Sequence, residues 1–147
     1  MDNTHYYEVT LNWESDRKGL MSSPVLNLNI EVATPPEFPK GIPGIWSPEH
    51  LLVAPVNSCL MTTFLAIAEN SKFGFISFTS NANGKLEKVD GKYMISKIIL
   101  SPELTIKNNA EKEKALKLLE KSEAACLISN SIKSTIVFNP TINIQEH

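Results

Sequence analysis

Three residue types are scarce enough in this chain of 147 residues to be placed first: two cysteines, one arginine and three histidines. A thiol is a nucleophile or a metal ligand only as thiolate. Cys59 and Cys126 are therefore buried thiols, a metal pair short of ligands, or a redox couple. Neither belongs to a C-x-x-C pair, so local spacing does not choose among these. Thirteen of the fourteen basic residues are lysine, and Arg17 stands alone. Its ordinary place is in solvent, but its planar fork can hold a carboxylate and a second anion together, which a lysine cannot do. Glu49 is the natural carboxylate partner, and equally a natural acid for the first turn of a helix. His5 and His147 lie near the ends of the chain, and only His50 sits beside the segment holding Cys59. No zinc-ligand spacing, glycine-rich phosphate loop or Gly-x-Ser-x-Gly elbow is present. A Cys59–His50 protease pair has little to support it, with nine positions between them on an apolar, helix-like run.

The elements that must position these residues follow from pattern. His5 to Trp13 and Val25 to Val32 alternate apolar and polar residues and read as strands, with Glu14 to Gly19 as the turn of a hairpin between them. Thr34 to Pro48 holds five prolines and two glycines, which predicts a long, stiff loop. Ser47-Pro48-Glu49 is a helix start. The helix that follows is apolar almost all round from Leu51 to Ala68, so it should be central and buried on most sides. Pro55 predicts a break near Ala54 and a second, longer helix from Pro55. That would place Cys59 near a positive helix end, and would let the first segment fold back to bring Glu49 toward Cys59. On one straight helix the ten residues between them span about 15 Å.

Phe73 to Ser80, Lys85 to Val89 and Lys92 to Leu100 read as further strands, with Asp90-Gly91 as a hairpin turn. A helix capped by Asn108 or Asn109 should run to about Ser129, with Ala115, Leu116 and Leu119 inward. Ile132 to Phe138 and Thr141 to Ile144 close the chain as strand. Strands and helices in this order make an α+β fold, in a single domain over residues 1–147.

Net charge −2 and a pI near 5.9 offer no surface for a polyanion, which excludes nucleic acid as a partner. Met1 to Tyr7 lacks the basic and apolar regions of a secretion signal. The richest apolar stretch, Leu51 to Ala68, is interrupted by Pro55, Asn57, Thr62 and Thr63, short of the ~18 unbroken apolar residues of a membrane span. A soluble, cytoplasmic protein with no membrane partner is the expectation.

Three segments together resemble the OsmC/Ohr family of thiol peroxidases. They are Asp16-Arg17-Lys18-Gly19, Ser47-Pro48-Glu49-His50-Leu51-Leu52 through Asn57-Ser58-Cys59, and Cys126-Leu127-Ile128-Ser129-Asn130-Ser131. Glu49 precedes Cys59 by ten positions and Cys126 follows it by sixty-seven, as the family's two boxes require. The resemblance implies an OsmC-like fold of antiparallel strands around a buried central helix, in an intertwined homodimer with active sites at the subunit interface. Cys59 would be the peroxidatic thiol that reduces an organic hydroperoxide to an alcohol, and Cys126 the resolving thiol that closes a disulfide. Arg17 would steady the Cys59 thiolate and orient the peroxide, with Glu49 holding the guanidinium. Leu52, Val56 and Phe64 would favour a bulky alkyl substrate. No metal or bound cofactor is implied, only an external dithiol or lipoyl-type reductant. Two departures leave the branch open: Leu127 stands where better-known members have proline, and the Arg17 turn lacks paired glycines. The competing reading on the same dimeric fold is a non-enzymatic carrier of an apolar ligand whose cysteines only pack.

Overall fold

The computed structural model describes residues 3–145, so His147 lies outside it. The described chain falls into two compact units that divide at Leu51/Leu52.

In the first unit, β1 (Thr10–Ser15), β2 (Lys18–Ser22) and β3 (Ile30–Ala33) form an antiparallel meander in the order β1-β2-β3. Asp16 and Arg17 make the tight turn between β1 and β2, with Asp16 at φ 47° and its carbonyl accepting the Trp13 indole N–H at 3.0 Å. The hairpin is therefore shorter than the sequence suggested. Lys18–Ser22, whose first two residues were expected in the turn, is the central strand, because Gly19 and Leu20 pair on both edges, with Trp13 and Asn12 on one side and Val32 and Glu31 on the other. The alternation from His5 to Val9 does not become strand, and the Val25 strand starts only at Ile30. The proline-rich segment is a loop, as read. It folds back on itself: Ala33 N–H donates to the Trp46 carbonyl at 2.9 Å and Ile42 N–H to that of Thr34 at 2.9 Å. Thr34 N–H also donates to the Arg17 carbonyl at 3.2 Å, tying the loop to the hairpin turn.

Helix α1 runs unbroken from Pro48 to Asn70, with Pro55 inside it. Ser47 caps it: its hydroxyl accepts the His50 N–H at 3.1 Å and pairs with His50 Nδ1 at 2.7 Å. The expected break at Ala54 is absent. Pro55 only deprives the Leu51 carbonyl of one amide, and packing of the following turns on the sheet holds the axis through it.

The second unit is built on a long hairpin, β4 (Ser77–Val89) with β5 (Lys92–Ile106). Asp90 at φ 51° and Gly91 at φ 79° form its turn, the left-handed pair that such a two-residue connection demands. The free edge of β5 is covered by β6 (Thr135–Phe138) at Lys97 to Leu100 and by β7 (Thr141–Ile144) at Glu103 to Ile106, both parallel to it. Helix α2 (Lys112–Ala124) supplies the crossover that a parallel pair needs. Pro102 sits between the two paired stretches, so its missing N–H interrupts neither ladder, and β5 continues six residues past the Leu100 end read from sequence.

The apolar stripe Val56, Leu60, Phe64 and Ala68 of α1 packs on β5 and α2. Phe64 stacks on Phe78 with 5.4 Å between ring centres. The helix is buried on this one stripe rather than on most sides; Leu52, Met61 and Leu65 remain exposed. Despite its polar interruptions, α1 is long and apolar enough by composition to cross a membrane, with mean hydropathy 1.9 over its best 18-residue window. The helix seats on the sheet by both kinds of contact: Asn57 Nδ2 donates to the Ser80 carbonyl at 2.9 Å, and Gly84 leaves room for Val53.

Candidate functional site

Cys59 and Cys126 reach one another from separate elements of the second unit. Cys59 stands in the middle of α1, eleven residues beyond Pro48, too far in for the helix dipole to act on it. The helix-end activation expected from a break at Pro55 is thus replaced by another source. Cys126 follows α2, its N–H bonded to the Glu123 carbonyl at 3.1 Å, and the chain turns through Ser129–Ser131 as a single turn of 3₁₀ helix. This turn aims the backbone amides of Leu127 and Ile128 at the Cys59 sulfur. Burial pushes the Cys59 thiol up, but the Ile128 amide, the Cys126 thiol, the Thr63 hydroxyl and the Leu127 amide together hold it below the ordinary thiol value. Thr63 is one turn along α1, with Oγ1 3.8 Å from Cys59 Sγ.

Cys126 is the opposite case. It is fully buried, and burial pushes its thiol up, with the negative charge of Cys59 adding to the effect against Ser129. One thiol is primed to lose its proton and its neighbour to keep it. Both are free in this structure.

Arg17 and Glu49 both line an open cavity of about 360 Å³ in the first unit, with Phe38 and Pro39. Oε1 of Glu49 is buried and without a hydrogen-bond partner, and no Arg17–Glu49 ion pair is closed among the described residues. On the unbroken helix, Glu49 and Cys59 stand about 15 Å apart along the axis, so the fold-back that would have joined them does not occur.

The three apolar residues expected to meet substrate divide. Val56 and Phe64 are both 0% exposed and belong to the core, because the helix turns that stripe onto the sheet. Leu52 is 38% exposed and faces outward. His50 is engaged in capping and meets Trp46 edge-on at 6.0 Å. Among the described residues no group of three His, Cys, Asp or Glu side chains is placed to hold a metal ion.

Thr63, Ser129, Glu123 and the amides of Leu127 and Ile128 were given no role on sequence grounds. Thr63 was within reach of inference, four residues from Cys59 on a helix. The amides were not, since any residue but proline supplies one.

The family model described as OsmC-like protein matches residues 41–141. The uncharacterized protein YmaD of Bacillus subtilis is 24% identical over 135 residues, covering 90% of this chain and 89% of its own. Among solved structures, an OsmC-like protein of unknown function from Vibrio cholerae superposes with a TM-score of 0.84 at 22% identity, over 93% of this chain and 99% of that one. An organic hydroperoxide resistance protein from Elizabethkingia anophelis gives 0.78 at 20% identity, over 99% and 100%.

Proposed function

Because this chain belongs to the OsmC-like protein family, we propose that it is a cysteine-dependent peroxidase that reduces organic hydroperoxides to alcohols. The observation that carries the reading is the asymmetric thiol pair: Cys59 held toward the thiolate, Cys126 beside it held as the thiol. A peroxidatic centre needs that division of labour, because the attacking sulfur must be ionised at neutral pH and the resolving one must wait.

The Cys59 thiolate attacks the terminal oxygen of the hydroperoxide. The O–O bond breaks, the alkoxide leaves and takes a proton, and Cys59 becomes a sulfenic acid. Cys126 then attacks the Cys59 sulfur, the S–O bond breaks, and water and an intramolecular disulfide result. An external dithiol, of lipoyl type or another, restores both thiols by exchange.

Arg17 and Glu49 complete the site from the partner subunit of a homodimer. The unbroken helix supports this, since it separates Glu49 from the Cys59 of its own chain. Open apolar surface in each unit supports the dimer: Leu11 and Trp13 on β1 in the first, Met61 and Leu65 on α1 in the second. Assembly would cover those faces.

Consumption of cumene hydroperoxide with a dithiol reductant tests the reading. Cys59→Ser should abolish turnover, and Cys126→Ser should stop it with Cys59 trapped as sulfenic acid. A rate unaffected by Cys59→Ser sinks the proposal.

A further inference from the structure

The reaction as written leaves one half-buried titratable group idle, the Glu123 carboxyl. It also leaves one difficulty: Cys126 must attack as a thiolate, yet its surroundings keep it protonated. When Cys59 becomes a sulfenic acid its negative charge disappears, but burial of Cys126 remains. Something must accept the proton.

Glu123 and Ser129 flank Cys126 on either side, three residues before it and three after. The first lies in the last turn of α2, where its carbonyl accepts the Cys126 N–H at 3.1 Å. The second starts the turn pinned by the bond from Asn130 N–H to the Cys126 carbonyl, also 3.1 Å. The Ser129 hydroxyl neighbours both the Cys126 thiol and the Glu123 carboxyl. Ser129 Oγ and Glu123 Oε2 are buried, and neither closes a hydrogen bond of proper geometry in the reduced protein. Two adjacent polar atoms kept from water without partners are costly to maintain and are the arrangement expected of a site that acts only during a reaction step.

We propose that Ser129 and Glu123 form a proton relay that deprotonates Cys126 during disulfide formation. The inference rests on the peroxidase reading for its oxidant, while its chemistry concerns only the second step. The Cys126 proton passes to Ser129 Oγ as the hydroxyl proton passes to the Glu123 carboxylate. The Cys126 sulfur donates an electron pair to the Cys59 sulfur, the S–O bond breaks, and hydroxide leaves. Glu123 then gives its proton to that hydroxide through solvent, so the products are one disulfide and one water. Cys126 is oxidised and Cys59 reduced by equal amounts, so no further oxidant is needed. Burial holds the Glu123 carboxyl above the usual carboxylate range, with Ser129 opposing, which brings it nearer to a thiol as a proton acceptor. The titratable group facing Cys126 from α1 is Cys59.

Ellman's reagent, one equivalent per chain, reads both thiols in the whole protein. Cys59 releases a first coloured thiolate, and Cys126 releases a second by attacking the Cys59 adduct. Glu123→Gln should leave the first phase unchanged and slow the second about 100-fold near neutral pH. The deficit should shrink as pH rises from about 6 to about 9, where hydroxide ionises Cys126 directly. Glu123→Asp should recover part of the rate, and Ser129→Ala should slow the same phase without touching the carboxyl. A second phase at the wild-type rate in either Glu123→Gln or Ser129→Ala overturns the relay, and so does a deficit that stays constant with pH, which a merely structural role would give. The two readings fail separately: a protein inert to cumene hydroperoxide that still shows this pattern loses the peroxidase assignment and keeps the relay.

Discussion

Gly84 is where the structure sets the tightest quantitative test of how α1 is seated. A Cβ added there would lie 2.5 Å from Val53 Cγ2 and 3.4 Å from Ile95 Cγ2. Carbon atoms prefer about 3.5–4.0 Å, so in Gly84→Ala the Val53 methyl must retreat by about 1 Å. Valine in a helix has essentially one χ1 rotamer, so the shift falls on the helix backbone. Overpacking of this kind costs about 1–3 kcal/mol. Replacing a strand glycine by alanine returns about 0.5–1 kcal/mol, for a net loss of about 0–2.5 kcal/mol, centred at about 1 kcal/mol. For a chain of this size a loss of about 1 kcal/mol lowers Tm by roughly 2–4 °C. Val53→Ala alone, which opens a small cavity, should cost about 1–2 kcal/mol. In that background the clash is gone, and Gly84→Ala should become neutral or stabilising by up to about 1 kcal/mol. Urea unfolding of the four proteins at one protein concentration measures the cycle. If Gly84→Ala costs as much in Val53→Ala as in the wild type, the close approach of helix and strand is not what Gly84 provides.

Alkylation by iodoacetamide should modify Cys59 before Cys126, with the pH midpoint for Cys59 lower in the folded protein than in urea and that for Cys126 higher. This follows from the opposite directions of the two shifts, and peptide mapping after partial labelling checks it. Leu127→Pro should move the Cys59 midpoint upward, because proline removes one of the two amides that favour the thiolate; an unmoved midpoint would show that the Leu127 amide does not act on the sulfur.

What the sequence made legible was whatever depends on local chemistry. Asp90-Gly91 specified its turn because only two left-handed residues connect strands so tightly, and Ser47-Pro48-Glu49 specified a helix start because the cap is made by the residues themselves. Elements that depend on distant partners were misjudged. Lys18–Ser22 has little alternation of its own, and becomes a central strand because β1 and β3 both pair with it. The strand from Lys92 reads as ending at Leu100, and it continues past Pro102 because β6 and β7 divide the β5 edge on either side of that proline. Pro55 looked like a helix end for the same reason: its local penalty is real, but contacts of the following turns on the sheet outweigh it.

The site divides along the same line. Residue type pointed to Cys59, Cys126, Arg17 and Glu49, and the chain does place them in two pairs, one thiol pair and one cavity-lining pair. Their electrostatics came from groups with no signature in residue identity. Activation of Cys59 was expected from the end of its own helix. The structure instead draws it from two backbone amides sixty-eight and sixty-nine residues away, and one of them exists only because position 127 is not proline. A proline there would have no N–H to give. Leu127, expected only as a departure from the resembled pattern, thus supplies one donor to the Cys59 sulfur. In the proposed cycle the loop carrying Cys126 would act twice, first by stabilising the ionised Cys59 and then by presenting Cys126 to it, so perturbing that loop should alter both steps.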